Sequence, residues 1–420
     1  MRQIPLGQVS VEPGLAWAWH LLPVGRPITD RILSYNQVRY LRSGGGSSIS
    51  GTFEVDGPVD LAEMEAAFGN LLQRHPVLRF TPQGEYPQMR LHRVSHGWLG
   101  SPDVVHRYLK QQFAELDPVY GPLVGLGALV RERSTTVHLC LDHLVGDVVS
   151  VVIAMAELVG TYRQVSPPSF FAYSQEEHQR NEALDERLSV WREFARDKGF
   201  FPESPVVLGP SGGDDRNEVV ELLSAAECTD FERRCRSAGG GMMSGLLAAM
   251  ATAQRDEGGP DVYRAFVALN QRGERYAGSL GWFVNVVPIE IPVPRPADLD
   301  QHIRTAQAAY RRARSLKEVH YIRAWELLAP STRFRAVNFF SYLDFRDHQQ
   351  GDVSNPAIQV NMPGRHGLTL WLYRNEQGLY LHWIYRDTAV ARTSTAALAR
   401  RLREILREPG GRTPTSSVRP

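Results

Sequence analysis

The sequence predicts an α/β protein that folds as two subdomains. Its 420 residues exceed what one ordinary hydrophobic core holds together, so we expect two cores. Short apolar runs typical of buried strands alternate with segments whose apolar residues recur at helical spacing, and the second half of the chain repeats this mixture. We place the boundary after residue 173, which gives an N-terminal subdomain of residues 1–173 and a C-terminal subdomain of residues 174–420.

Strands and helices follow each other closely in the first half. A tryptophan-bearing strand lies within residues 11–25, and a second strand covers residues 48–55. Asp60, a residue type that caps helix N-termini, precedes a helix whose apolar residues recur at helical spacing. Further strands of the first subdomain are predicted over residues 88–94 and 137–141.

The second half opens with a long polar helix, predicted over residues 175–198 because its apolar residues fall on one side. The remaining predicted elements are helices over 228–238 and 244–255, a strand over 262–269, a helix over 297–315, strands over 337–345, 368–373 and 379–385, and a helix over 393–406.

Composition and charge exclude several classes of protein. The hydrophobic share of 43% and the charged share of 22% are typical of a soluble globular protein. A net charge of +1 argues against a nucleic-acid or anionic-membrane partner. No apolar run is long enough for a transmembrane helix, and no signal peptide is evident, so we expect a cytoplasmic protein. We also expect it to be a monomer. Cys140, Cys228 and Cys235 are too few and too irregularly spaced for a disulfide framework or a zinc site, so we interpret them as small buried hydrophobes.

One stretch places polar residues where a strand gives way to a helix. The apolar run 137–141 ends at His143, Gly146 and Asp147, and a second apolar run over 148–159 is long enough for a helix. Such a junction presents a side chain into a cleft, and an imidazole with a pKa of about 6.5 exchanges protons near neutrality. The aspartate can either bond the imidazole or fold away and pin the loop through a cation elsewhere.

This stretch resembles the active-site motif H-H-x-x-x-D-G of the condensation-domain superfamily. That superfamily includes the condensation domains of peptide synthetases, chloramphenicol acetyltransferase and the polyketide-associated acyltransferases. His143 and Asp147 are in place, but Asp142 stands where the first histidine usually is, and Val148 stands where the glycine is.

The resemblance extends over nearly the whole chain. Residues 34–41 resemble the opening of the free-standing polyketide-associated acyltransferases, and residues 280–288 resemble the family's G-x-F-x-N segment. Residues 74–80 match a phrase that follows the family's first helix, and we interpret His75 within it as structural. The resemblance implies two chloramphenicol-acetyltransferase-like subdomains in a V, with a central tunnel and His143 at its middle.

Site residues are carried over from the family by position. The resemblance implies that His143 is the general base and that Asp147 forms a structural salt bridge with Arg272 of the second subdomain. It assigns oxyanion stabilisation to the backbone amide of Val148 and to a polar side chain on the core strand, here Ser341. Because valine does not adopt a positive φ cheaply, the loop at Val148 is expected to differ from the family's.

Three further positions are assigned to the substrate tunnel on the same resemblance. Trp282 takes the place of a smaller apolar residue of many synthetase domains, and it is expected either to narrow or shape the tunnel near its core or to pack outward in the core of its subdomain. Asn285 belongs to the G-x-F-x-N segment, and Asp142 adjoins the base.

The implied function is acyl transfer from a coenzyme A thioester, or from the phosphopantetheine of an acyl or peptidyl carrier protein, to a hydroxyl of a natural product or glycolipid. No metal or bound cofactor is expected, because the thioester brings its own activation. Two alternatives stay open: a free-standing condensation enzyme of nonribosomal peptide or polyketide biosynthesis that uses an amine acceptor, and a non-catalytic recruitment domain.

Overall fold

The computed structural model describes residues 1–5, 8–160, 166–183, 186–210, 214–296, 298–333, 337–347, 353–362 and 367–408. Within these ranges the chain is a mixed α/β protein, as the sequence predicts. In chain order, strands β1 to β16 are Arg2–Gln3, Gly14–Val24, Ser48–Asp56, Phe80–Thr81, Gly84–Glu85, Gln88–Leu99, Val124–Val130, Ser134–Asp142, Asp215–Ser224, Val262–Asn270, Val284–Pro292, Phe339–Phe340, Tyr342–Asp344, Ser354–Asn361, Thr369–Arg374 and Gly378–Arg386.

Helices alternate with these strands along the chain. In the same order, α1 to α11 are Tyr35–Arg42, Leu61–Arg74, Pro102–Ala114, Val148–Leu158, Phe170–Arg180, Ser189–Ala195, Ala225–Ser237, Met242–Asp256, Leu299–Arg314, Tyr321–Leu328 and Ala389–Arg407.

The first subdomain is built on a seven-stranded sheet in the order β1-β14-β3-β8-β7-β2-β6. Strand β8, which leads into the histidine motif, is the central strand and pairs antiparallel with both β3 and β7. Helices α2 and α4 cover one face, where Phe53, Phe68 and Leu139 are buried together. Helix α3 covers the other face over Cys140. The central strand is therefore rigid where it ends at the motif.

One strand of this sheet comes from the second half of the chain. Strand β14 lies between β1 and β3, pairing parallel with β1 and antiparallel with β3. The boundary that we predicted after residue 173 also falls inside helix α5, whose Phe170, Phe171 and Tyr173 pack into the first core. The division into residues 1–173 and 174–420 stays a prediction, and the two halves are interleaved across it.

The second half forms two sheets, β11-β10-β12 and β13-β15-β16-β9, with α7, α8, α9 and α11 in the same core. The prediction of a single strand over 337–345 is wrong, because this segment forms two strands. Phe339–Phe340 pairs with β10, whereas Tyr342–Asp344 pairs with β15. The chain changes sheets at Ser341, so one continuous strand is impossible.

The long helix predicted over 175–198 is also wrong, because α5 and α6 are separate helices. Asn181 ends α5: its side chain donates to the carbonyls of Glu177 (2.8 Å) and Glu318 (3.2 Å) and accepts from the His320 amide at 2.9 Å. Through these three hydrogen bonds Asn181 fixes the end of α5 against residues 318–320. Of the described helices, none is both long enough and apolar enough to cross a membrane.

Gly51 of β3 lets helix α4 approach the sheet closely, and we expect Gly51→Ala to destabilise the first subdomain. A Cβ atom at Gly51 would meet Val151 Cγ1 of helix α4 at 2.7 Å, and Met155 of the same helix still closer. Overpacking a tight core costs about 1–3 kcal/mol, so the midpoint of thermal unfolding should fall.

Gly69→Ala in helix α2 is the matched control. A Cβ atom there meets nothing within 4 Å, and alanine is a better helix former than glycine by about 1 kcal/mol. If the two variants are equally stable, helix α4 accommodates the extra carbon and the packing argument fails.

Candidate active site

His143 is the first residue after the central strand. Its backbone N–H donates to the Ser47 carbonyl at 2.9 Å, which continues the pairing between β8 and β3 by one residue. Asp147 then caps helix α4, and Gly146 lies between them with no room for a side chain, because a Cβ atom would meet Leu141 Cδ1 at 2.7 Å. A strand end and a helix start thus hold the histidine from both sides.

The imidazole of His143 is half-buried, and its two nitrogens differ. Nδ1 lies 2.8 Å from the Gly146 carbonyl oxygen. Because a carbonyl only accepts, Nδ1 carries the proton in the neutral ring, and Nε2 keeps its lone pair. No described residue forms a hydrogen bond with Nε2. Burial lowers the pKa of His143, outweighing the carbonyl and Asp147, so the neutral ring is favoured near pH 7.

Asp147 is buried and is paired with Arg272. The guanidinium donates from Nη2 to Oδ1 at 2.6 Å and from Nη1 to Oδ2 at 2.9 Å. Oδ1 also accepts from the Ser150 amide at 2.9 Å, and Oδ2 from the Phe283 amide at 3.0 Å. Burial alone would raise the pKa of Asp147, but Arg272 and these donors hold it below its usual value. Of the two partners considered for Asp147, the structure places Arg272 against it and not His143.

Ser150 is a site residue that the sequence reasoning missed. Its Oγ accepts from Arg272 Nη2 at 2.8 Å and from the Gly281 amide at 3.0 Å. The hydroxyl also lies 2.9 Å from the Gly281 carbonyl and 3.0 Å from Asp147 Oδ1, either of which accepts its proton. The spacing D-x-x-S, a capping box at the start of α4, is the signal that could have found it.

Trp282 of the second half lies flat against His143. Their ring centroids are 3.8 Å apart and the planes are inclined by 20°. Tyr40 of helix α1 meets the same indole edge-on, with centroids 5.6 Å apart and planes at 84°. Trp282 is half-buried, so it forms part of the wall beside the imidazole.

Helix α1 ties the same region together. Gln37 Nε2 donates to the Leu144 carbonyl at 2.8 Å, and Asn36 Nδ2 donates to the Val284 carbonyl at 2.5 Å. One helix of the first half therefore holds both the loop after His143 and the strand that follows Trp282.

Two residues assigned to the tunnel are instead engaged in holding the backbone. Asp142 is buried: Oδ1 accepts from the Leu144 amide at 2.8 Å, and Oδ2 lies 3.2 Å from the Tyr40 hydroxyl. Burial raises its pKa to about 6. Asn285 is buried as well, and its Nδ2 donates to the carbonyls of Lys317 (3.0 Å) and Val319 (2.9 Å). Neither side chain presents a free polar group to an open channel.

Val148 and Ser341 are both half-buried. Val148 is the first residue of α4 and has helical backbone, so valine is accommodated there without a positive φ. Its N–H belongs to the first turn, whose amides have no acceptor within a helix. The Ser341 carbonyl accepts from the Leu372 amide at 2.8 Å, at the point where the chain changes sheets. No cluster of metal-ligating side chains occurs within the described ranges.

Removing either partner of the buried ion pair should destabilise the protein. Asp147→Asn and Arg272→Ala each leave a buried group without its counter-charge, which costs on the order of 3–5 kcal/mol. Urea denaturation monitored by circular dichroism measures the change in the free energy of unfolding.

Arg275→Ala is the matched control, because Arg275 is 64% exposed and its ion pair with Glu176 lies at the surface. Exposed pairs contribute about 0–1 kcal/mol. If Arg272→Ala were no more destabilising than Arg275→Ala, the buried pair would not be what holds the loop.

The chain is similar to known proteins over nearly all its length. The Condensation domain family matches residues 39–409. The 2'-acyl-2-O-sulfo-trehalose (hydroxy)phthioceranyltransferase PapA1 of Mycobacterium bovis is 25% identical, over 94% of this chain and 86% of that protein.

Two solved structures have the same fold. The PapA2 acyl transferase superposes with a TM-score of 0.86 at 19% identity, covering 97% of this chain and 99% of that one. The X-domain in its complex with OxyB from teicoplanin biosynthesis superposes with a TM-score of 0.68 at 18% identity, covering 93% and 97%. The chain belongs to the condensation-domain family, with the two-subdomain fold of chloramphenicol acetyltransferase, and is an acyltransferase.

Proposed function

We propose that this protein transfers an acyl group from a thioester to a hydroxyl of a glycolipid or related natural product, with His143 as the general base. The observation that carries the proposal is the hydrogen bond between His143 Nδ1 and the Gly146 carbonyl. It leaves Nε2 with a lone pair, and a base needs that lone pair to take a proton.

The chemistry follows from this geometry. Nε2 accepts the hydroxyl proton as the acceptor oxygen attacks the thioester carbonyl, and a C–O bond forms. The tetrahedral intermediate carries an oxyanion, to which we assign the Val148 N–H as a donor. The intermediate collapses, the C–S bond breaks, and the departing thiolate takes the proton back from the imidazolium.

The donor is proposed to be coenzyme A or a carrier-protein phosphopantetheine, since both present an acyl thioester on a long thin arm. The acceptor class is argued from PapA1, whose name describes transfer to an acylated sulfo-trehalose. A sugar hydroxyl is a weak nucleophile with a high pKa, so a base must remove its proton as it attacks. His143 Nε2 is proposed to be that base.

An amine acceptor would use the same base, so an assay needs both classes of acceptor. A recruitment platform has different requirements. It needs a docking surface but no imidazole with its tautomer fixed, so the arrangement around His143 favours an enzyme.

His143→Ala should abolish most of the activity while leaving the fold intact. General-base catalysis is worth roughly 10²- to 10⁴-fold in rate, and a half-buried side chain contributes little to the core. Release of coenzyme A from radiolabelled acyl-CoA, with sulfated and unsulfated trehalose, other alcohols and amines as acceptors, measures the rate and the acceptor class.

His20→Ala is the control, because His20 is an exposed histidine on strand β2. Wild-type turnover by His143→Ala would refute the base assignment. Equal losses in the two variants would trace the effect to something other than the site.

The rate should also depend on pH in one direction. Below the pKa of His143 the ring is protonated and cannot act as a base, so log kcat/KM should decrease as the pH is lowered, which gives the profile an acid limb. Because burial lowers that pKa, the midpoint of this limb should lie below the ordinary imidazole value of about 6.5. Above that limb the ring is neutral and the rate should be flat. An acid limb centred above about 6.5 would contradict a buried neutral base.

A further inference from the structure

Trp282 is held in place by its two sequence neighbours. On one side, the Gly281 N–H donates to Ser150 Oγ at 3.0 Å, and the Gly281 carbonyl oxygen lies 2.9 Å from the same hydroxyl, placed to accept its proton. On the other side, the Phe283 N–H donates to Asp147 Oδ2 at 3.0 Å. Gly281 has φ +148°, in the region that favours glycine, so this backbone turn is specific to it. The direction of the indole is therefore set by the first turn of helix α4, which also follows the His143 loop.

Tyr40 supports the indole from a second direction and also adjoins the imidazole, its ring centroid lying 6.4 Å from that of His143. Tyr40 packs edge-on against the indole of Trp282. The Tyr40 hydroxyl donates to the Ser47 carbonyl at 2.9 Å and accepts from the Ser47 amide at 2.8 Å, so both groups of Ser47 hold it in place. Ser47 also accepts the His143 amide. The histidine backbone and the tyrosine that supports the indole thus share one anchoring residue.

The imidazole needs such support because one hydrogen bond restrains it weakly. The ring has one hydrogen bond, between Nδ1 and the Gly146 carbonyl, and that bond alone does not prevent rotation about the Cβ–Cγ bond. A flat aromatic neighbour with centroids 3.8 Å away removes that rotation, because a turned ring would collide with the indole. The indole face also attracts a cation, which an imidazolium is for part of the reaction.

We propose that Trp282 is a positioning residue, which holds the His143 ring with Nδ1 on Gly146 and Nε2 open to substrate and stabilises the imidazolium formed during transfer. The catalytic arrangement is then shared between the subdomains, with the base from one and the residue that orients it from the other. The rate effect rests on the proposed function, whereas the ring orientation does not.

The experiment compares Trp282→Leu, Trp282→Phe and wild type in the full chain. Nitrogen-15 NMR of histidine-labelled protein reports the tautomer of each ring, and His143→Ala assigns the His143 signals by their loss. Trp98→Leu is the matched control, because Trp98 is a 65% exposed tryptophan on strand β6. Circular dichroism melts check that each variant is folded.

We expect wild type and Trp98→Leu to show His143 as a single neutral tautomer protonated on Nδ1. Trp282→Leu should show a mixture of both tautomers, and Trp282→Phe should lie between, because phenylalanine keeps a flat face. In the acyl-transfer assay, kcat of Trp282→Leu should fall by about two- to thirtyfold, with Trp282→Phe less affected.

An unchanged tautomer in Trp282→Leu would overturn the proposal, and so would a wild-type kcat in that variant. Equal effects of leucine and phenylalanine would also overturn it, since they would show that bulk and not the aromatic face matters. A wild-type protein that transfers no acyl group to any acceptor refutes the proposed function, while the NMR comparison still decides the role of Trp282.

Discussion

A single buried ion pair sets the geometry on which the site depends. Asp147 and Arg272 come from different halves of the chain, and neither charge is solvated. A buried charge without its partner is costly, so the contact between the guanidinium and the carboxylate favours the arrangement in which the two halves meet here. The same carboxylate caps helix α4 and accepts from the Phe283 amide. The start of the helix, the loop before it and the facing segment therefore move as one body.

Local patterns predicted those parts of the fold that depend on neighbours in sequence. The strand before His143 was visible as an apolar run, and the cap at Asp60 marked the start of α2, which begins at Leu61. The helix after Asp147 was predicted within one residue of its end. Each of these features needs only residues a few positions away, so one sequence contains the whole signal.

The rest depends on partners far apart in the chain. Strand β14 contains Pro356, a residue that is unusual in the interior of a sheet, so nothing local marks it as the neighbour of β3. Asp142 seemed a tunnel residue because it adjoins the base, but Tyr40 and the Leu144 amide engage it. The sequence around Ser150 reveals only its capping box with Asp147. Its hydrogen bonds to Gly281 form only when the two halves of the chain are folded together.

The place of β14 in the first sheet has a consequence for how the chain is made. Strand β14 is absent from the first sheet until residue 361 has left the ribosome. Strand β1 pairs with β14, so it cannot join the sheet before then either. Pairing between strands so far apart in sequence is slow, because the entropy of closing the long loop between them is lost before their stabilising contacts form. The N-terminal half therefore emerges with an exposed edge at β3, the kind of edge that chaperones shield and that favours aggregation when synthesis stalls.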